Sequence, residues 1–320
     1  MGTRLLALLS VVCALCASPV LAEDFPGKPM RIIVPLAAGG GTDLLARVIA
    51  GKLREKFGQP VTVENRSGAS GNIGAEAVFK SPPDGYTLLF TQPAPLVVNK
   101  ALYGKLAYEP EQFVPIALVS LQDIMLAANP NVPASSLQEL IAYARTNPGK
   151  LNFGSSGAGS APHLAAELFN AMAGVKMVHV PYKGAAESMA ATLGGQVDLT
   201  FFAFSTALRN AQAGKLRAIA VGGTKRNPQL PDVPSISELL PGYRATSWTA
   251  LVAPPGTPAP VAQKLAQAVS EIVKMPDVQG RLVDAGDESF DSTPARMAAF
   301  LREESQRWGN LIKATGITAQ

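Results

Sequence analysis

The chain has little of what most often marks chemistry. Of its 320 residues two are cysteine and two are histidine, and 16% are charged, against about a quarter in an average soluble protein. Cys13 and Cys16 both lie in the first 16 residues, so the rest of the chain has no thiol for a disulfide, a zinc site or a nucleophile. His163 and His179 stand 16 residues apart and outside any H-E-x-x-H pattern, so no metal and no cofactor are expected. Beyond the N-terminus no apolar run reaches the about 18 residues that cross a bilayer, which excludes a multi-pass membrane protein. The 28 basic and 24 acidic residues form no basic block, so nucleic acid is excluded as a partner. What the chain does have is 47% hydrophobic residues, 29 glycines and 26 prolines. With a formal net charge of only +4, that composition excludes disorder, and at about 150 residues per domain the length predicts two domains.

The first 22 residues read as an address. Met1–Arg4 give a positive start, Leu5–Leu15 an apolar run, and Val20-Leu21-Ala22 a cleavage site with its small residue. Cleavage after Ala22 removes both cysteines and leaves 298 of the 320 residues, enough to stabilise an exported chain by its core alone.

Strand-like runs then alternate with helical ones, the signature of a parallel α/β sheet. Strands are predicted at Met30–Val34, Pro60–Glu64, Tyr86–Phe90, Leu151–Phe153, Val175–Val180, Val197–Phe204, Leu216–Val221 and Ala250–Ala253. Helices are predicted at Leu44–Phe57, Gly71–Phe79, Ser135–Thr146, Leu164–Ala173, Ala186–Gly194, Pro258–Lys274 and Pro294–Thr315. Phe113–Ala128 carries two short apolar runs split by Ser120–Asp123, the first leaving one sheet and the second entering another.

Two loops between a strand and a helix are the candidate sites. In PLAAGGGTD at 35–43, Gly39, Gly40 and Gly41 carry no Cβ and let a ligand approach the backbone. The first N–H groups of the following helix lack partners and, with the helix dipole, favour an anion. Thr42 adds a hydroxyl, and Asp43 is placed to cap the helix. The loop matches neither a dinucleotide fingerprint, since Leu44 stands where a glycine is required, nor a P-loop. In GSSGAGSAPH at 154–163, Ser155, Ser156 and Ser160 offer hydroxyls, Gly157 and Gly159 offer N–H groups, and His163 opens the next helix. A nucleophile elbow would need glycine where Ala158 stands.

The segments KPMRIIVPLAAGGGTDLLAR at 28–47, VTVENRSGASGNIGAEAV at 61–78, PDGYTLLF at 83–90 and ELIAYARTNPGKLNFGSSGAGSAPHLAAELF at 139–169 form a pattern. It continues with VHVPYKG at 178–184, GKLRAIAV at 214–221, LPDVPSISE at 230–238 and SWTALVAPPGTP at 247–258. Taken in order, these resemble the periplasmic substrate-binding proteins of tripartite tricarboxylate transporters, the Bug family. The resemblance implies an α/β, two-lobed periplasmic-binding-protein fold of the Venus flytrap type II, with a ligand cleft between lobes. The lobes expected are 23–124 with 245–320, and 125–244. It implies a non-enzymatic, monomeric periplasmic receptor that binds a small di- or tricarboxylate or aromatic acid and hands it to membrane transporter subunits.

By resemblance the ligand is held by Ala38–Asp43 from one lobe and by Ser155, Ser156, Gly157 and Ser160, with His163, from the other. Thr91, Gln92, Phe202 and Trp248 are expected to face the same cleft. Leu36 stands where many relatives carry an aromatic, and Phe202 where some carry an acid that meets a ligand ammonium. These departures favour an uncharged or aromatic body bearing a carboxylate. Two rival readings remain open on the residues alone: a hydrolase using Ser156 or Ser160 with His163, and a sensory receptor feeding a membrane kinase.

Overall fold

The computed structural model describes residues 25–290 and 292–318, so the expected leader at 1–22, with Cys13 and Cys16, lies outside the described residues. Among the described residues no helix is long and apolar enough to cross a membrane. The apolar run Met30–Val34 forms β1, with Ile32, Ile33 and Val34 fully or almost fully buried, as suits a parallel strand covered on both faces. Helix α1, Gly41–Phe57, buries Leu45, Ala46, Ile49, Ala50 and Leu53 at helical spacing. It ends at Gly58 in the left-handed region. Strands β2 (Val61–Asn65) and β3 (Thr87–Thr91) flank β1 in parallel register, and α2 (Asn72–Phe79) links them. A short helix α3, Asn99–Tyr103, precedes the long strand that follows.

The passage from one sheet to another expected of Phe113–Ala128 is made, but by a single strand. Val114–Ala128 is one continuous strand, β4, of 15 residues. Over Val114–Asp123 it pairs antiparallel with β9 (Thr246–Ala253), and over Ile124–Ala128 with β7 (Leu199–Ala203). The polar Gln122 and Asp123 mark the passage from one sheet region to the next and leave the backbone unbroken.

The second half runs α4 (Leu137–Thr146), β5 (Asn152–Ser155), α5 (Ala161–Ala173), β6 (Val178–Pro181), α6 (Ala185–Leu193), β7, α7 (Phe204–Gln212) and β8 (Arg217–Val221). After β9 come α8 (Ala259–Val273), α9 (Pro276–Ala285), β10 (Asp287–Ser289) and α10 (Pro294–Thr315). Sequence patterning missed α3, α7, α9 and β10, the last two because their stretch carries mixed charge without a sustained apolar period. The strands follow the order β2-β1-β3-β9-β4-β7-β5-β6, with β8 and β10 also pairing β4.

The structure is a two-lobed α/β fold. One apolar cluster draws on residues 30–119 and 251–282, around β1, α1 and α8. Another draws on residues 124–245, around β5, α5 and β7. Three segments of chain meet where these regions join. The Gly222 N–H donates to the Ile124 carbonyl at 2.7 Å, and the Ala245 N–H donates to the Gly222 carbonyl at 2.9 Å.

Candidate functional site

The glycine loop ends as an open helix start. The cap of α1 is Gly40, whose extended backbone carries no side chain to cover the first-turn N–H groups. Asp43 is therefore not the cap expected from the sequence. It is the third helical residue and reaches backwards, accepting from the Gly39 N–H at 2.8 Å. Its carboxylate also accepts from Arg47 Nε at 3.1 Å and from Asn65 Nδ2 at 2.9 Å. The Arg47 hydrogen bond, with the Gly39 and Asn65 bonds, outweighs the cost of burial and holds the Asp43 carboxyl down at about 2. The charge beside the helix start is thus fully satisfied. At the same helix start, Gln92 Nε2 donates to Thr42 Oγ1 at 2.9 Å, which leaves the threonine proton free to donate elsewhere.

Thr42 and Gln92 open onto a cleft of about 1070 Å³. Its walls include Gly41 and Thr42 of α1, Ala185 of α6, and Ser205 and Thr206 of α7, so three helix N-termini from both halves of the molecule face one space. All three helices start without a side-chain cap, at Gly40, Gly184 and Ala203. Among the described α-helices only α4 and α10 are closed by side chains, those of Ser136 and Thr293, and α9, uncapped like the others, also begins on this wall with Asp277. In α6 the acid Glu187 reaches back to the Lys183 N–H at 3.0 Å, the arrangement Asp43 makes in α1. Each uncapped start presents partial positive charge to the cleft.

Some of the ionic side chains along the walls answer one another. Lys52 pairs with Asp277 at 2.8 Å and Glu55 at 3.4 Å. Asp287 accepts from Ser120 Oγ at 2.7 Å and Gln122 Nε2 at 2.6 Å, and burial pushes its carboxyl pKa upward. Arg209 and Arg281 line the same space from α7 and α9.

The serine loop is organised around two imidazoles. Ser155 is 1% exposed, and its Oγ meets His179 Nε2 at 2.6 Å and accepts from the Gly157 N–H at 3.1 Å. His163 accepts the Gly159 N–H at its Nδ1, at 3.0 Å. The two rings stack with centroids 3.8 Å apart and 10° between planes, over Phe153. Burial pushes the His163 pKa down to about 3, aided by the neighbouring His179, and burial pushes His179 down to about 4. Both are therefore neutral near pH 7. The glycine N–H groups that the sequence offers to a ligand are already taken by Ser155 and His163. The half-buried Ser156 remains at the loop's surface.

Of the residues expected to hold a ligand, Gly41, Thr42, Gln92 and Trp248 line the cleft. Ala38, Gly39 and Gly40 form the exposed turn before it, and Asp43 is buried beneath. Thr91 is fully buried, its Oγ1 donating to the Gln92 carbonyl at 3.2 Å. Phe202 packs in an apolar cluster with Met125, Phe204 and Leu208. Ser155, Ser156, Gly157, Ser160 and His163 are not among the residues lining this cleft.

The serine–histidine pairing of the rival hydrolase reading is not seen among the described residues. Ser160 Oγ donates to the Gly157 carbonyl at 2.7 Å, and the serine that meets a histidine is the buried Ser155, on His179. Ala185, Ser205, Thr206, Arg209, Arg281 and Asp287 were missed. For Ser205 and Thr206 a signal existed, a strand running into small polar residues, hidden by reading the Val197 strand through Phe204. Among the described residues no cluster of three or more metal-ligating side chains occurs.

A model of the tripartite tricarboxylate transporter family receptors matches residues 45–317. Protein BugT of Bordetella pertussis is 36% identical over 319 residues, covering 98% of each chain. Among solved structures, Rpa4515 of R. palustris with adipate is 36% identical with a TM-score of 0.81, over 93% of this chain and 100% of that one. MatC from Rhodopseudomonas palustris with bound malate is 34% identical with a TM-score of 0.77, over 90% of this chain and 100% of that one. The chain belongs to the family of tripartite tricarboxylate transporter receptors.

Proposed function

We propose that this chain is a periplasmic receptor, without catalysis, that closes on a small carboxylate and delivers it to the membrane subunits of a tripartite tricarboxylate transporter. The observation that carries the reading is the meeting of three uncapped helix N-termini, one from α1 and two from α6 and α7, on a single cleft. Adipate and malate in the two R. palustris relatives support the same ligand class.

The lobes are taken as 23–124 with 245–320, and 125–244. The change of β4 from β9 to β7 pairing at Asp123–Ile124 supports that division. The ligand carboxylate accepts from first-turn N–H groups and from the Thr42 hydroxyl, oriented by Gln92. Ser205 and Thr206 approach from the other lobe, and Ser156, outside the cleft lining in this structure, joins them as the lobes close. Hydrogen bonds to a charged group contribute about 1.5–3 kcal/mol each. Three such bonds, with some apolar burial against Trp248, reach the about 8 kcal/mol of a micromolar site. Contacts to both lobes exist only in the closed form, so the ligand shifts the population towards closure. Export with cleavage after Ala22, and a monomeric state, complete the reading.

The test is calorimetric titration of the exported protein with adipate, malate and a panel of aromatic acids. Stoichiometric binding without turnover is expected, weakened about tenfold in Thr42→Val, the loss of about one such hydrogen bond. No heat and no thermal shift with any carboxylate would sink the reading.

A further inference from the structure

The two halves touch directly at two glycines beside the cleft. A Cβ added at Gly286, between α9 and β10, would lie 2.6 Å from Ser205 Cβ, 3.1 Å from Ser205 N and 3.2 Å from Ser205 Cα. These are atoms of the first turn of α7, and no change of rotamer moves them away. At Gly159 of the serine loop an added Cβ would lie 2.2 Å from Leu102 Cδ2 on α3, with the next Leu102 atoms at 3.4 and 3.6 Å. That neighbour is the end of a side chain and yields by rotation. The Gly286 contact is the hard one.

Ser205 is also part of the cleft wall and the second residue of one of the uncapped helices that line it. The atom that Gly286 seats against therefore belongs to the element that presents its N–H groups to the site. Gly286 is the C-cap of α9 with φ 74° and ψ 22°, and Gly58 is the C-cap of α1 with φ 68° and ψ 9°. Both suit a left-handed cap, so local backbone need alone explains each glycine. Around Gly58, however, nothing lies within 4 Å of an added Cβ. The two caps differ in what stands opposite, and only Gly286 has the other half of the molecule against it.

We propose that Gly286 is a positioning residue for ligand binding: its missing Cβ sets how closely α7 can approach α9, and so how far the two lobes close over the carboxylate. The proposal rests on the receptor reading above. Any side chain there acts as a wedge. Carbon atoms rest about 3.5–4.0 Å apart, so a methyl group at Gly286 displaces the Ser205 end of α7 by about 1 Å. The N–H groups of α7 then stand too far from a carboxylate held by α1. Gly286→Ala is expected to bind more weakly through faster release, because the closed state is what the wedge destabilises.

The test compares Gly286→Ala with Gly58→Ala, which shares the left-handed strain and lacks the neighbour. Spin labels at Lys80→Cys and Lys150→Cys, exposed positions in the two lobes, report the lobe separation by pulsed dipolar spectroscopy. The exported protein carries no other cysteine. With adipate as the probe, Gly286→Ala is expected to lengthen the mean distance by about 1 Å or more. It is also expected to weaken adipate binding about tenfold by a faster off-rate, while Gly58→Ala keeps both values. A Gly286→Ala protein with the wild-type distance and off-rate, or equal losses in both variants, overturns the proposal. Adipate binding by the wild-type protein is read separately: its absence, with no other carboxylate bound, overturns the receptor reading, and the distances without ligand still decide the wedge.

Discussion

Acid should unfasten the serine loop before it touches the rest of the fold. The chain's two histidines are both in the stacked pair, so every imidazole proton taken up on acidification belongs to this site. Their folded values, about 3 and about 4, lie below the ordinary 6.5. A base depressed in this way is neutral when folded, so the unfolded chain binds the extra protons, and stability falls as pH drops below 6.5. Each imidazole withdraws about 1.36 kcal/mol per pH unit below 6.5 until its folded value is reached. At pH 5 that is about 2 kcal/mol for each ring and about 4 for the pair, a figure that requires only folded values below 5. The carboxyls of Glu167, Asp123 and Asp287, raised by burial, act with the opposite sign, gaining stability as pH falls. They are present in every variant, so a comparison cancels them.

The assay is urea denaturation followed by far-UV circular dichroism at pH 7 and pH 5, on the wild-type protein and on His179→Asn. The wild-type protein should lose about 2 kcal/mol more between the two values than the variant, whose remaining imidazole still titrates. Equal losses in the two proteins would show that the rings are not held neutral by the fold, and the account of the loop's donors, with Gly159 N–H accepted by neutral His163, would fall with them.

Two further outcomes follow from the buried polar groups. Glu304 is fully buried and accepts from Arg244 at 2.7 Å and from Trp308 Nε1 at 3.1 Å, besides its Arg307 pair; Glu304→Ala should cost about 3 kcal/mol in chemical denaturation, because Arg307 and the buried Trp308 Nε1 lose their acceptor while Arg244 keeps Glu303. Ser155→Ala should cost about 1–3 kcal/mol by stranding the Gly157 N–H and the His179 ring, while Ser156→Ala leaves the denaturation midpoint near its wild-type value.

Much of the architecture was legible because burial writes itself into spacing. Met30–Val34 and Tyr86–Phe90 are mostly apolar runs, broken by Arg31 and Thr87, and both mark central strands. Leu45, Ile49 and Leu53 recur on one helical face and are buried there. Local composition also marked the glycine loop, because an open helix start needs residues without side chains. The Phe113–Ala128 stretch does pass from one sheet to the other, as its two apolar runs suggest, but without a break: Gln122 and Asp123 interrupt apolarity where the strand changes neighbours, while hydrogen bonding continues through them.

The partners of Ser155 were out of reach, since His179 lies 24 residues away and arrives by parallel pairing of β5 with β6. Spacing along the chain carries no trace of a contact made by register. The α9 wall was hidden too, because Asp277, Arg281 and Asp284 are ordinary surface charges until the fold sets them around a cleft.

The scarcity of charge takes on a meaning at the cleft. Four basic side chains, Arg47, Lys52, Arg209 and Arg281, and four acidic ones, Glu55, Asp277, Asp284 and Asp287, line it, so their formal charges cancel. Arg47 is further committed to Asp43 and Lys52 to two carboxylates. In the proposed reading an anion is met by Arg209 and Arg281 and by backbone, the first-turn N–H groups of α1, α6 and α7. Such donors are fixed by the helices behind them and need no side chain to be ordered when the ligand arrives. They also weaken within a turn of the helix end, so the attraction is strong only where all three ends converge. Under the proposed receptor reading, that convergence depends on the approach of α7 to α1 across the cleft, and affinity follows lobe distance as well as the two cleft arginines.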